Sequence, residues 1–262
     1  MSLHMLHTPQ PGLPPPVYVL GVRVDRLSQP QTLDAIEQMI EQRRANHDMS
    51  CKQVVTVNPE FVMAAQHDAV FRQCINQAAL VAADGMGVVW ATRYLRTPAP
   101  ERVTGTDLVA ELARRCALKG YRLYLLGAAP GVAELAGERL LQQAPGLQIA
   151  GVYAGSPAAE EEDAIIERIQ SAQTDVLCVA YGAPAQELWI RRNLSRLPVA
   201  VAMGVGGAFD FLSGRQRRAP LLMQHMGLEW CYRLYREPWR WRRMLALPRF
   251  ALHVLLKGSG EK

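Results

Sequence analysis

The chain has 262 residues, 49% of them hydrophobic and 20% charged, with a net charge of +5. That suits one globular α/β domain with a short appendage, and no stretch approaches the roughly 18 consecutive apolar residues of a membrane-spanning helix. The five cysteines (Cys51, Cys74, Cys116, Cys178 and Cys231) are odd in number and widely spaced, which excludes a disulfide scaffold and favours reduced, buried thiols in a cytoplasmic protein.

Residues 1–16 are rich in Pro, His and Gln and lack the basic start and apolar core of a secretory signal; a disordered lead-in is expected there. From residue 17 to 214, short β-rich runs alternate with helical patterns, as in a parallel sheet with crossover helices. In chain order the reading is strand Tyr18–Val24, helix Gln31–Arg44, strand Gln53–Val57, helices Pro59–His67 and Ala69–Ala78, and strand Ala79–Ala83. Helices Gly87–Leu95 and Gly105–Lys119 follow, then strand Arg122–Leu126, helix Val132–Gln143 and strand Gln148–Val152. Helix Ala158–Ser171, strand Asp175–Ala180, helix Ala185–Leu194 and strand Val199–Met203 complete the core. Thr104, Thr106 and Ser156-Pro157 supply caps, and Gly127–Gly131 a tight turn. The fold class is α/β, Rossmann-like, with a mostly parallel sheet flanked by helices.

Beyond residue 214 the texture changes. Gln224–Tyr235 and Arg240–Leu256 read as two amphipathic helices split by Glu237-Pro238, forming an appendage over 215–262. From Arg215 onward eleven Lys and Arg face three Glu, whereas the preceding residues carry eighteen basic and twenty-one acidic side chains. A mildly acidic body with a basic tail points to an anionic partner for one end of the molecule. Three of the five tryptophans (Trp230, Trp239 and Trp241) lie in that tail. Arginine on one face with Trp, Leu and Phe on the other suits a helix lying on an anionic membrane surface, and a planar guanidinium suits phosphate. A helix pair packed on the core with solvated arginines remains an alternative. No recognisable nucleic-acid module is present.

In an open α/β sheet ligands bind beyond the carboxyl ends of the strands. Those ends read Thr56-Val57-Asn58, Asp84-Gly85, Gly127, Gly182 with Gln186, and Gly204-Val205-Gly206-Gly207 with Asp210. Each has a plain structural explanation, such as a turn or a helix cap. Together they gather polar groups on one edge of one sheet, which separate structural roles do not require. No Asp-x-Asp pair occurs, and the six histidines (His4, His7, His47, His67, His225 and His253) form no H-E-x-x-H spacing, so no metal is expected. No strand ends in G-x-G-x-x-G with an acidic residue about 20 positions on, which argues against a dinucleotide-dependent oxidoreductase.

From about Tyr18 to Arg243 the chain resembles the WecG/TagA/CpsF family of bacterial glycosyltransferases. The marks are Thr56-x-Asn58, Ala83-Asp84-Gly85, Glu101-Arg102-x-x-Gly105, Gly182-x-Pro184-x-Gln186-Glu187 and Gly204-Val205-Gly206-Gly207-x-x-Asp210. Arg218-Ala219-Pro220 and Glu229-Trp230-x-x-Arg233 complete the series. The resemblance implies inverting, metal-independent transfer from a UDP-sugar to a sugar on polyprenyl diphosphate, with no cofactor, on the inner face of the plasma membrane. It implies Asp84 as base, with Arg102 and Gln186 beside it, and a pocket that includes Thr56 and Asn58. To these the strand ends add Gly85, Gly127, Gly182, Gly204, Gly206, Gly207 and Asp210 as substrate-binding candidates. Arg233, Arg240 and Arg243 are implied to meet the acceptor's diphosphate. Ala185 stands where a Lys often precedes the Gln. The Arg- and Ala-rich style leans toward exopolysaccharide assembly, with glucose of xanthan type as the sugar; N-acetylmannosamine or its uronic acid is the alternative. A non-enzymatic membrane- or polyanion-binding module is the rival of another class, and a homo-oligomer in solution is left open.

Overall fold

The near-continuous apolar runs form a parallel sheet covered on both faces by helices, as such strands demand. The computed structural model describes residues 14–46 and 50–257. Of the expected lead-in, residues 1–13 lie outside that description and 14–16 are irregular. The strand expected over Tyr18–Val24 is instead an antiparallel hairpin, β1 (Val17–Val19) and β2 (Val22–Val24). Leu20 and Gly21 between them take φ of 51° and 77°, as a two-residue turn matched to strand twist requires. Leucine rarely adopts positive φ, so only Gly21 hints at this turn in the sequence.

The main sheet comprises β3 (Lys52–Val57), β4 (Leu80–Ala83), β5 (Arg122–Gly127), β6 (Gln148–Tyr153), β7 (Val176–Ala180) and β8 (Val201–Gly204). Its order is β4-β3-β8-β7-β5-β6, and every pairing is parallel. The core helices are α1 (Gln29–Ala45), α2 (Pro59–His67), α3 (Ala69–Asn76), α4 (Met86–Tyr94), α5 (Gly105–Lys119), α6 (Val132–Gln143), α7 (Glu162–Ser171), α8 (Ala185–Asn193) and the short α9 (Ala208–Leu212). Alternate strand residues sort the layers. Val54, Leu123, Leu125 and Met203 face α1, α5, α6 and α9, whereas Val55, Val57, Leu126 and Val179 face the hairpin and α2, α3, α4, α7 and α8. Trp189, Phe71 and Phe209 are among the largest fully buried side chains, each contributing about 1.5–3 kcal/mol through burial.

Local chemistry sets the helix starts. Asn58 and Thr104 accept hydrogen bonds from Phe61 N and Asp107 N and so cap α2 and α5. Thr106, expected to precede a helix, lies inside α5. Ser156 Oγ accepts from Ala158 N at 3.2 Å, but it closes a turn ahead of the 3-10 segment Ala159–Glu161, and α7 begins only at Glu162. Cys51, Cys74, Cys116 and Cys178 are buried and unpaired, whereas Cys231 is half-buried.

The appendage is more broken than its pattern suggests: α10 (Leu221–His225), α11 (Glu229–Arg236), α12 (Trp241–Met244) and α13 (Ala246–Lys257). The first break falls at Gly227, whose φ is 73° and where a Cβ would lie 2.8 Å from Met86 Cγ. The second, at Leu245, precedes Pro248, which has no N–H for the Met244 carbonyl. The last helix returns to the body, burying Phe250 and Val254 in the layer that holds α2 and α4. Among the described residues no helix is long and apolar enough to cross a membrane.

Gly127 ends β5 with φ 98°, and a Cβ there would lie 2.8 Å from the Ala180 carbonyl carbon. Gly127→Ala is therefore expected to cost at least about 1 kcal/mol, read as a lower urea midpoint. An unchanged midpoint would contradict this close approach of β5 and β7.

Candidate active site

The strand ends build one side of a cavity of about 400 Å³ and the appendage builds the other. From β3 come Thr56 and Asn58, and β4 delivers Asp84, fixed by Asp84 N donating to Val57 O at 2.7 Å. Gly182 and Gln186 follow β7, and Gly206, Gly207 and Asp210 follow β8. Arg233 and Arg243 close the cavity from the appendage. Ten of the candidate residues thus share one space.

Four candidates lie behind it. Gly85 caps the start of α4 with φ 91°, and a Cβ there would sit 3.4 Å from Pro59 Cδ. Gly127 makes the backbone contact described above. Gly204 leaves room for Glu187, whose Oε1 would lie 2.0 Å from a Cβ there. Arg102 stands one step back, its Nη1 donating to Glu229 Oε2 at 3.0 Å. The side chain of Arg240 lies outside the described residues.

The space that Gly204 leaves holds a buried polar chain. Gln53 Nε2 donates to Glu187 Oε2, and Gln186 Nε2 donates to Glu187 Oε1, both at 3.0 Å. Gln186 Oε1 then accepts from Gly182 N at 3.1 Å and Gly206 N at 3.0 Å. Glu187 therefore orients the Gln186 amide so that its oxygen ties together the glycine turns after β7 and β8. Burial pushes the Glu187 carboxyl up to about 7, against the two amide hydrogen bonds that lower it. The charge's desolvation would be far costlier without those donors. Sequence reasoning missed Gln53 and Glu187 as parts of the site. A glutamate in a helix's first turn ordinarily reads as a solvated complement to the dipole, and its partner Gln53 lies in another element.

Asp84 is half-buried at the inner side of the cavity. Desolvation pushes its carboxyl up to about 6; Glu229 adds to the rise, while Arg102, the Gly105 N–H and Arg233 oppose it. Opposite it the arginines are held by other carboxylates. Arg218 pairs with Asp107 through two contacts, the longer of them 3.2 Å, and its Nε is 3.7 Å from Glu229 Oε1. Arg243 Nη2 lies 2.7 Å from Glu60 Oε2. Arg233 stacks over the Phe211 ring at 4.8 Å, and its buried Nε has no hydrogen-bond partner. Glu60, Arg218 and Glu229 were not singled out as site residues, although the last two belong to the quoted sequence pattern. Among the described residues no three His, Cys, Asp or Glu side chains converge as a metal would require. The arrangement offers one weakly acidic carboxylate, backbone N–H groups in glycine turns, and guanidinium groups suited to an anionic ligand.

Comparison with known proteins gives the chemistry a context. The family model described as "Glycosyl transferase WecG/TagA/CpsF family" matches residues 17–262. A protein of Bacillus subtilis (strain 168), named N-acetylglucosaminyldiphosphoundecaprenol N-acetyl-beta-D-mannosaminyltransferase, is 35% identical over 80% of this chain and 81% of its own. A protein of the same name from Staphylococcus aureus (strain MW2) is 31% identical over 91% of both chains.

The raised Asp84 pKa has a consequence for stability. Between about pH 4 and 6 the folded chain holds a proton at Asp84 that the unfolded chain has lost, so this group's contribution is full below pH 4 and lost as pH rises through 6. Asp84→Asn is expected to be more stable than the parent at pH 8, on the order of 1–3 kcal/mol, with the gap narrowing toward pH 4.5. Urea denaturation at both pH values checks this; a gap independent of pH would contradict it.

Proposed function

The chain belongs to the glycosyl transferase WecG/TagA/CpsF family, and on that premise we propose that this glycosyltransferase moves a sugar from a UDP-sugar onto a sugar carried by polyprenyl diphosphate. The observation that carries the reading is the unpaired Asp84 carboxylate in a cavity lined by Arg218, Arg233 and Arg243: among the described residues neither these nor Arg102 behind them forms an ion pair with it.

In this reading the acceptor hydroxyl oxygen attacks the anomeric carbon of the donor while Asp84 takes the hydroxyl proton. The bond from the anomeric carbon to the donor's β-phosphate oxygen breaks, its electron pair leaves with UDP, and a single displacement inverts the anomeric centre. A carboxyl near pH 6 is ionised at neutral pH yet basic enough to accept a proton as it develops. Charge on the departing UDP falls to the N–H groups of the glycine turns and to guanidinium groups, an electrostatic role that calls for no metal. Gln186 holds two of those turns in place. Thr56, Asn58 and Asp210 line the same cavity and are proposed to meet sugar and nucleotide hydroxyls.

The relatives' printed names transfer N-acetylmannosaminyl to N-acetylglucosaminyldiphosphoundecaprenol, which favours that donor and acceptor class here over the glucose of the exopolysaccharide reading. Arg233 and Arg243 are proposed to take the acceptor's diphosphate, with Arg240 assigned from sequence alone. Trp230, Tyr235, Trp239 and Trp241 are exposed beside the appendage arginines, which suits peripheral contact with an anionic inner membrane surface.

Labelled UDP-N-acetylmannosamine, supplied with polyprenyl-diphosphate-linked N-acetylglucosamine in vesicles, tests the reading. Labelled lipid-linked disaccharide is expected without added metal, and faster on anionic than on neutral vesicles. Product only from UDP-glucose would overturn the sugar assignment, equal rates on both vesicles the membrane contact, and no product from either donor the transfer itself.

A further inference from the structure

Glu229 is the appendage carboxylate that enters the cavity lining, and nothing in the proposed chemistry uses it. It opens α11, four residues before Arg233. Its two oxygens serve two arginines from different parts of the chain: Oε2 is 3.0 Å from Arg102 Nη1, and Oε1 is 3.7 Å from Arg218 Nε. The pair with Arg102 is well shielded, with side-chain exposures of 16% and 18%, so solvent weakens it less than a surface bridge. Arg102 belongs to the loop before α5, and Gly105 at the start of that helix donates its N–H to Asp84. The glutamate thus reaches the loop that leads directly into Gly105, whose N–H touches Asp84.

We propose that Glu229 is a positioning residue for the transfer: it holds the Arg102 guanidinium in an ion pair, so that this cation does not close onto Asp84, and it makes that pair only when α11 is docked. The inference rests on the reading of Asp84 as base. The charged and polar groups that face Asp84 are Arg102 from the loop, the Gly105 N–H from α5, Arg218 from the segment before α10, and Glu229 and Arg233 from α11. Of these, Glu229 alone is negative. It acts on Asp84 twice, by direct repulsion and by occupying the guanidinium that would otherwise turn toward it. Removing it frees the Arg102 guanidinium beside the carboxylate, whereas Arg218 keeps its pair with Asp107. A paired carboxylate is a weaker base, so docking of the appendage and readiness of Asp84 are one event.

The test is Glu229→Gln, which keeps shape and removes charge, read in two ways. Aspartate-selective carbon-13 NMR, with Asp84→Asn to assign the signal, follows the titration of Asp84 in the folded chain without any turnover. The midpoint is expected to fall by about half a pH unit or more in Glu229→Gln. The acid limb of kcat for lipid-linked product should move down with it, and the plateau rate should fall by about tenfold or more. An unchanged Asp84 midpoint would overturn the proposal, as would a uniform loss of rate with the acid limb in place. If no transfer is detected in the parent, the NMR titration still decides the role of Glu229, so its failure and that of the transferase reading are separable. Should Glu229→Gln fail to fold, Glu229→Asp keeps the charge but shortens its reach to Arg102: the Asp84 midpoint is expected to fall, and an unchanged one would overturn the proposal.

Discussion

A cavity that is to accept a diphosphate needs cations, and a carboxylate meant to act as a base in that cavity is disarmed by them. In the proposed reading the architecture reconciles the two demands by giving arginines their own carboxylates. Arg218 is taken by Asp107, Arg102 by Glu229 and Arg243 by Glu60, while among the described residues Asp84 has a backbone donor from Gly105 and no ion pair. These pairs also join the appendage to the body, since Asp107, Arg102 and Glu60 lie in the core and their partners lie beyond residue 214. The electrostatics of the site and the docking of the C-terminal helices are therefore the same set of contacts.

Behind this charged surface, the sheet supplies rigidity. The parallel order places β3, β4, β7 and β8 so that their carboxyl ends face one space. The Gln53–Glu187–Gln186 chain then ties the turns after β7 and β8 to the strand beside them. Gly204 is a condition of that chain, because a side chain there would occupy the position of the Glu187 carboxylate. The anchoring of α13 through Phe250 and Val254 has a practical corollary. Truncation of the whole appendage would uncover core surface, so point substitutions probe its role more cleanly.

Much of this was legible in the sequence where the governing physics is local. Helices α2, α5 and α6 begin and end where their caps and periodicity place them, at Asn58-Pro59, Thr104 and Gly131. Asp84, Thr56 and Gly206 could be found because strand ends can be read from apolar runs. What escaped depends on tertiary contact. The positive φ of Leu20 is imposed by the hairpin, and the break at Gly227 reflects close packing on Met86. Glu187 and Glu229 find their partners 134 and 127 residues away, a separation at which no spacing rule operates. Gly85, Gly127 and Gly204 were read as substrate contacts because they end strands; none is in the cavity lining, and a Cβ would clash at Gly127 and Gly204, whereas Gly85 takes a φ of 91°.

The central claim is that Asp84 takes the acceptor's proton, and the most direct measurement is turnover by Asp84→Asn, with UDP binding followed by calorimetry on the same preparation. The account predicts that kcat falls by about a hundredfold or more while UDP still binds with near-parental affinity. A variant that turns over within a few-fold of the parent would contradict it.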